Sequence, residues 1–336
     1  MKNIKSMISI DAMGADLGPK EVVFGIRQCA SNYPNIKFLI HGNSLELSEL
    51  VKNSKIQNKC SIIDTKGVVS MDQKPSFVLR HGKDTSMWSA IESVRTGSAD
   101  ACVSGGNTGA LMALSVIRLK KSLGVNRPAI ACLWPSRNKS GFNIVLDVGA
   151  DIKADHNDLL QFSLMGVNYA KQGLDIKTPR VGLLNMGTEE HKGNNELKLA
   201  YELIQTKSIT ENFKFVGFVE GSDIPSNRVD IIVTDGFTGN IAIKTAEGTS
   251  NFISEKIKTS LTSNIISKFG SFFLASALKK MKLEIDPRSV NGGVFLGLNG
   301  TVIKSHGSAD RTGIASAITL AARLSKSGVN NRVKVK

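Results

Sequence analysis

The chain has little cysteine, and what it has follows no pairing pattern. Cys29, Cys60, Cys102 and Cys132 stand far apart without a C-x-x-C pair, and the five histidines show no H-E-x-x-H or other paired ligand spacing. This argues against a structural metal, and neither metal nor cofactor is expected. Cys102 and Cys132 lie in apolar runs and read as small buried hydrophobes, a usage that suits a reducing compartment. Long apolar runs are missing too: none approaches the roughly 20 residues of a membrane span. No long apolar stretch follows Met1-Lys2-Asn3-Ile4-Lys5 either, so a cytoplasmic protein is expected. Without proline- or serine-rich linkers or internal repeats, residues 1–336 read as one continuous domain. G-x-x-x-x-G-K-[ST] is absent, as is G-x-G-x-x-G after the first strand, which disfavours P-loop and dinucleotide sites. No G-x-S-x-G elbow presents a serine. Ser136-Arg137-Asn138-Lys139 fits S-x-x-K, a pattern short enough to arise by chance in so lysine-rich a chain. A nucleophile borrowed from the substrate gains ground.

What is abundant is positive charge. Lys and Arg number 43 against 29 Asp and Glu, a formal net charge of +14. The surplus favours anionic partners: phosphate, nucleic acid, an anionic membrane surface or an acidic protein. Codon bias toward lysine would give the same surplus with no partner.

Apolar runs of strand length recur at 7–10, 37–40, 61–63, 101–103, 129–133, 143–146, 181–184, 215–219 and 230–233, with helical patterns at 21–29, 87–95, 111–120, 159–170 and 196–204 between most of them. This alternation predicts an α/β fold with a doubly wound, mainly parallel sheet. The exception is 249–283, a helical stretch without a strand. There Leu261, Ile265, Phe269, Phe272 and Phe273 recur near three- and four-residue spacing among Lys268, Lys279 and Lys280. It reads as a protruding basic amphipathic segment for a membrane or carrier-protein contact, or else as a helix facing the core or a second copy.

Chemistry concentrates in glycine-bearing turns after apolar runs. Ser104-Gly105-Gly106-Asn107-Thr108-Gly109-Ala110 leads from a strand-like into a helix-like segment, where unpaired backbone N–H groups and the helix dipole receive anions. The alternative is a tight turn whose glycines only permit unusual dihedrals. Similar turns are Ile10-Asp11-Ala12-Met13-Gly14-Ala15-Asp16, Leu183 to Asn194, and Thr234-Asp235-Gly236-Phe237-Thr238-Gly239-Asn240. Strand-end turns of this kind can converge on one crevice.

With Pro75 to Met87, Arg127-Pro128-Ala129, Leu146 to Ala150 and Val302 to Ser308, these blocks resemble, in order and from about Ile8 to Leu324, the bacterial phosphate acyltransferase family. The resemblance implies transfer of a long-chain acyl group from acyl carrier protein to inorganic phosphate, giving acyl phosphate for phospholipid synthesis. It also implies a Rossmann-like fold akin to phosphotransacetylases and the isocitrate dehydrogenase class, a homodimer, and peripheral association with an anionic membrane. Phosphate is a ready nucleophile and a thiolate, with a pKa near 8.5, a ready leaving group. The enzyme's task is then to hold the anion and stabilise an oxyanion. Lys192, in the family's Lys-Gly-Asn block with Gly193 and Asn194, is expected to contact phosphate or the oxyanion. Asn240 is expected to donate to the thioester oxygen, with Asp235 orienting it or Lys192, unless Asp235 only holds its turn. Ser104, Gly106, Asn107, Thr108, Asp11, Lys83 and His306 are expected to bind substrate. His81, Gly82, Ala15 and Asp151 depart from the family pattern. The rivals are a phosphotransacylase or dehydrogenase-like enzyme using coenzyme A or nicotinamide substrates, and a basic nucleic-acid-binding protein, for which only the charge speaks.

Overall fold

The structure, a computed structural model, describes residues 5–264, 267, 269–271, 273–274, 276–278 and 292–327. The nine expected strands are present: β1 (Ser6–Asp11), β2 (Ile36–Gly42), β3 (Cys60–Asp64), β4 (Ala101–Ser104), β5 (Ala129–Pro135), β6 (Phe142–Leu146), β7 (Arg180–Leu184), β8 (Lys214–Val219) and β9 (Ile231–Val233). Two more, β10 (Gly293–Leu296) and β11 (Thr301–Lys304), complete the sheet among the described residues, in the order β3-β2-β1-β4-β11-β10-β5-β6-β9-β7-β8.

Each expected helix is found, most beginning a few residues before the first apolar position. They are α1 (Gly18–Asn32), α4 (Ser86–Arg95), α5 (Thr108–Leu119), α6 (His156–Asn168) and α7 (Asn195–Thr210), joined by α2 (Ser44–Asn53), α3 (Pro75–His81) and a C-terminal α9 (Arg311–Leu324). The early starts are set by side chains that satisfy the orphan N–H groups of the first turn. Asn107 accepts from Ala110, Asp155 from Asn157 and Asp158, and Asn194 from Leu197.

Strands β3, β2, β1, β4 and β11 are mutually parallel, as are β6, β9, β7 and β8. Between the two sets, β10 pairs antiparallel with β11 and β5, and β5 antiparallel with β6. The two parallel halves therefore run in opposite senses, and their carboxyl-end turns face each other across β5. Of the turns expected to converge, those after β1, β4 and β9 meet from two sides of a crevice, while the turn after β7 does not line it. Apolar side chains such as Ile8, Ile10, Phe38 and Phe162 are fully buried between sheet and helices. Each contributes roughly 1.5–3 kcal/mol relative to exposure.

The helical excursion begins earlier than expected. Helix α8 runs Gly236–Thr262, so the Asp-Gly-Phe-Thr-Gly-Asn turn is its first turn. Gly236 and Gly239 stand in what the sequence presents as a turn, and a Cβ on either would collide with the carbonyl oxygen of Asp151 or Asp147 respectively. They let α8 lie directly on the backbone that leaves β6. Farther on, Leu261 is half-buried, while Phe269 and Phe273 are exposed with their rings 5.3 Å apart. Ile265, Lys268, Phe272, Lys279 and Lys280 lie outside the described residues. Among the described residues no helix is long and apolar enough to cross a membrane.

Candidate active site

Asp11, Ser104 and Lys304 stand side by side at the carboxyl ends of β1, β4 and β11, paired in register. Ser104 Oγ donates to Asp11 Oδ2 at 2.7 Å and accepts the Gly106 N–H at 3.0 Å. This fixes the glycine turn that enters α5. Asp11 is buried, and its Oδ1 has no hydrogen-bond partner among the described residues.

Beside this turn opens a cleft of about 500 Å³. One wall is Gly106, Thr108, Asp16 and the Lys304-Ser305-His306-Gly307 turn. Asp16 N–H bonds Gly307 O at 2.9 Å, which holds two of these segments together. Across the cleft, α8 presents Asn240, Ile243, Lys244 and Glu247, positions separated by three and four residues and hence on one helical face. The floor is the β5 row Ile130, Cys132 and Trp134, alternate residues that share one face of the sheet. The cleft thus combines polar groups, among them Asp16, Asn240, Lys244, Glu247, Lys304 and His306, with an apolar strip on β5.

Asn240 Nδ2 donates to Val148 O at 3.1 Å. The loop bearing Val148 is organised by Asp147, which accepts the N–H groups of Ile130, Gly149, Ala150 and Asp151 at 2.9–3.2 Å. Burial pushes the Asp147 carboxyl up to about 6 against the pull of these donors. Asp151, one of the departures from the family pattern, forms an ion pair with Arg127. Burial pushes the Lys304 ammonium down to about 8, with Asp16 and Asp11 opposing the shift and Lys244 adding to it. The Cys132 thiol is pushed up to about 12 by burial and is no nucleophile near neutral pH.

Of the residues singled out in the sequence, Gly106, Thr108, Asn240 and His306 line the cleft, and Asp11 and Ser104 build the turn behind it. Asn107 does not offer its amide to a ligand: Nδ2 donates to Met71 O and Gln73 O at 2.7 and 3.0 Å while Oδ1 caps α5. Asp235 accepts from the Thr238 N–H and hydroxyl, both at 2.8 Å, and so caps α8 without a hydrogen bond to Asn240 or Lys192. Lys192 pairs with Glu189 at 2.8 Å on the turn after β7, and neither it nor Gly193 nor Asn194 belongs to the cleft wall. Asn194 caps α7. Lys83 lies in a separate hollow of about 290 Å³ with Lys66, Asp64 and Asp84.

Lys304, Lys244, Asp16 and the β5 row were not singled out. The 240/243/244/247 spacing was available to find the α8 face, but the glycines before it masked the helix. Nothing in the sequence signals that Lys304 is packed into a cleft.

A family model described as fatty acid synthesis protein matches residues 6–332. The phosphate acyltransferase of Jannaschia sp. (strain CCS1) is 58% identical over 329 residues, covering 98% of this chain and 90% of that protein. The chain belongs to the phosphate acyltransferase family. A second phosphate acyltransferase, from Paracoccus denitrificans (strain Pd 1222), is 58% identical over 328 residues, 97% of this chain and 89% of that protein. Among solved structures, the EutD phosphotransacetylase from Staphylococcus aureus superposes with a TM-score of 0.62 at 15% identity, covering 96% of each chain. That likeness establishes the shared Rossmann-like fold.

Proposed function

We propose that this phosphate acyltransferase moves a long-chain acyl group from acyl carrier protein to inorganic phosphate, releasing acyl phosphate for phospholipid synthesis. The observation that carries the reading is one cleft lined both by the glycine turn that enters α5 and by the Ile130–Cys132–Trp134 strip, in a chain 58% identical to proteins named phosphate acyltransferase. A phosphate oxygen attacks the thioester carbonyl carbon, a tetrahedral oxyanion forms, the C–S bond breaks, and the thiolate departs with a pKa near 8.5. The Gly106 and Thr108 end of the cleft receives phosphate with the dipole of α5 behind it. Asn240, tied by one amide N–H to Val148, has a second N–H to offer the developing oxyanion. Lys192 supplies positive charge to the same transition state once the turn after β7 releases it from Glu189 and carries it to the cleft. Asp235 serves by holding the first turn of α8, and thereby Asn240, in place.

An acidic carrier protein gives the net charge of +14 a specific use, speeding encounter in a salt-dependent way. The exposed Phe269 and Phe273 support peripheral contact with an anionic membrane from the cytoplasmic side, and a homodimer completes the reading. The donor is tested by comparing palmitoyl-loaded acyl carrier protein with palmitoyl coenzyme A at equal concentration and rising salt. Faster, salt-sensitive turnover of the carrier thioester is expected. Preference for coenzyme A would favour the phosphotransacylase alternative.

A further inference from the structure

Two ammonium groups border the cleft from opposite sides. Lys304 sits at the end of β11, level with Ser104, and Lys244 sits on α8 one turn beyond Asn240. Lys304 is pinned: Nζ donates to Gly105 O at 3.1 Å and to Ser305 O. An ammonium carries three donors, so one remains, directed away from those carbonyls in a side chain that lines the cleft. The glycine turn whose carbonyl holds Lys304 is the one that delivers Gly106 and Thr108 to the same wall. Like charges that face one another repel, and the Lys244 charge is felt at Lys304. An anion bound between them removes that repulsion and gains two charge-assisted hydrogen bonds.

We infer that Lys304 and Lys244 form a two-sided clamp for the phosphate substrate, gripping it from β11 and α8 at the entrance to α5. The inference rests on the acyl-transfer reading for the identity of the anion, and it assigns binding of the nucleophile to lysines distinct from Lys192. The charged groups around the clamp are Asp11 at the end of β1, Asp16 in the following turn, Glu247 on α8, and His306, whose Nε2 lies 3.9 Å from Glu247. The carboxylates Asp11 and Asp16 keep Lys304 charged against its burial up to about pH 8. The clamp is therefore complete below that pH and half-charged above it.

The test titrates inorganic phosphate into the full-length protein, by phosphorus NMR line broadening, and measures steady-state KM values for phosphate and for the acyl donor. Lys304→Gln keeps a donor for the Gly105 and Ser305 carbonyls while removing the charge, and Lys244→Gln alters an exposed side chain. Each is expected to weaken phosphate binding and raise the phosphate KM about tenfold or more, with the donor KM within about twofold of wild type. In wild type, kcat/KM for phosphate falls above about pH 8, and Lys304→Arg moves that fall to higher pH. Unchanged phosphate affinity in either folded variant, or a rise in donor KM instead, would overturn the clamp. Should Lys304→Gln not fold, Lys244→Gln decides alone. The titration requires no turnover: phosphate binding lost in the variants of a wild type that makes no acyl phosphate would support the clamp while the acyl-transfer reading fails.

Discussion

Asn240 donates its side-chain amide to the Val148 carbonyl at 3.1 Å, fastening the first turn of α8 to the loop that leaves β6. The bond fixes the amide plane and with it the direction of the remaining N–H. Asn240→Ala is expected to lower kcat by a factor of about 10²–10³, the range for one preorganised oxyanion donor. Losing the anchor costs about 1 kcal/mol of stability. Single-turnover kinetics beside a denaturation curve separate the two, and near-normal turnover would remove Asn240 from the oxyanion site.

Lys192 offers a contrasting case, since its ammonium is held by Glu189 outside the cleft wall. If it reaches the transition state during the reaction, Lys192→Ala lowers turnover by a factor of about a hundred or more with the fold intact. Turnover close to wild type would leave Lys192 as one half of a surface ion pair.

How far the sequence disclosed this molecule depended on the physics of each segment. The nine expected strands are apolar runs bounded by polar turns, and burial on both faces of a parallel sheet produces such runs. β10 and β11 lie among Gly292, Gly293, Gly297 and Gly300, which break their apolar residues into turn-like pieces, and the antiparallel pairs β11–β10, β10–β5 and β5–β6 set the opposed senses of the two halves. The start of α8 was hidden because its glycines answer to a tertiary contact, the backbone at Asp147 and Asp151, rather than to helix propensity. The side chains of Asn107 and Asp235 were legible as polar turn residues but not as caps with their donors and acceptors already engaged. Cap and ligand roles draw on the same residue types.

Ser104 couples two parts of the site by donating to Asp11 and accepting from Gly106. Ser104→Ala leaves Asp11, whose other oxygen is already unpaired, and the Gly106 N–H without partners. The expected loss is about 1–3 kcal/mol, read as a lower urea midpoint at unchanged slope. An unchanged midpoint would show that this pair contributes nothing.

His41 gives the fold an acid sensitivity away from the cleft. Ser9 Oγ donates to Ala90 O at 2.8 Å, so it accepts from His41 Nε2 at 3.0 Å, and His41 Nδ1 accepts from Ser89 Oγ at 2.8 Å. Burial pushes this imidazole down from 6.5 to about 4. Between those values the unfolded chain binds the extra proton and the native chain does not. The contribution is therefore full above pH 6.5 and falls by about 3 kcal/mol as pH drops to 4. The stability difference between wild type and His41→Gln should shrink over this window. A constant difference would mean that His41 is not held neutral.

The exposed pair Phe269 and Phe273 carries the proposed membrane contact. Replacing both by Glu is expected to abolish sedimentation with anionic vesicles while leaving turnover of soluble substrates intact. Undiminished sedimentation would assign this face to another contact.

The most direct measurement mixes the protein with palmitoyl-loaded acyl carrier protein, with and without inorganic phosphate, and follows free carrier thiol together with hydroxylamine-reactive acyl phosphate. The account predicts that both products appear in equal amounts and only when phosphate is present. Thiol release without phosphate, or with no acyl phosphate formed, would contradict it and mark a hydrolase in place of a phosphate acyltransferase.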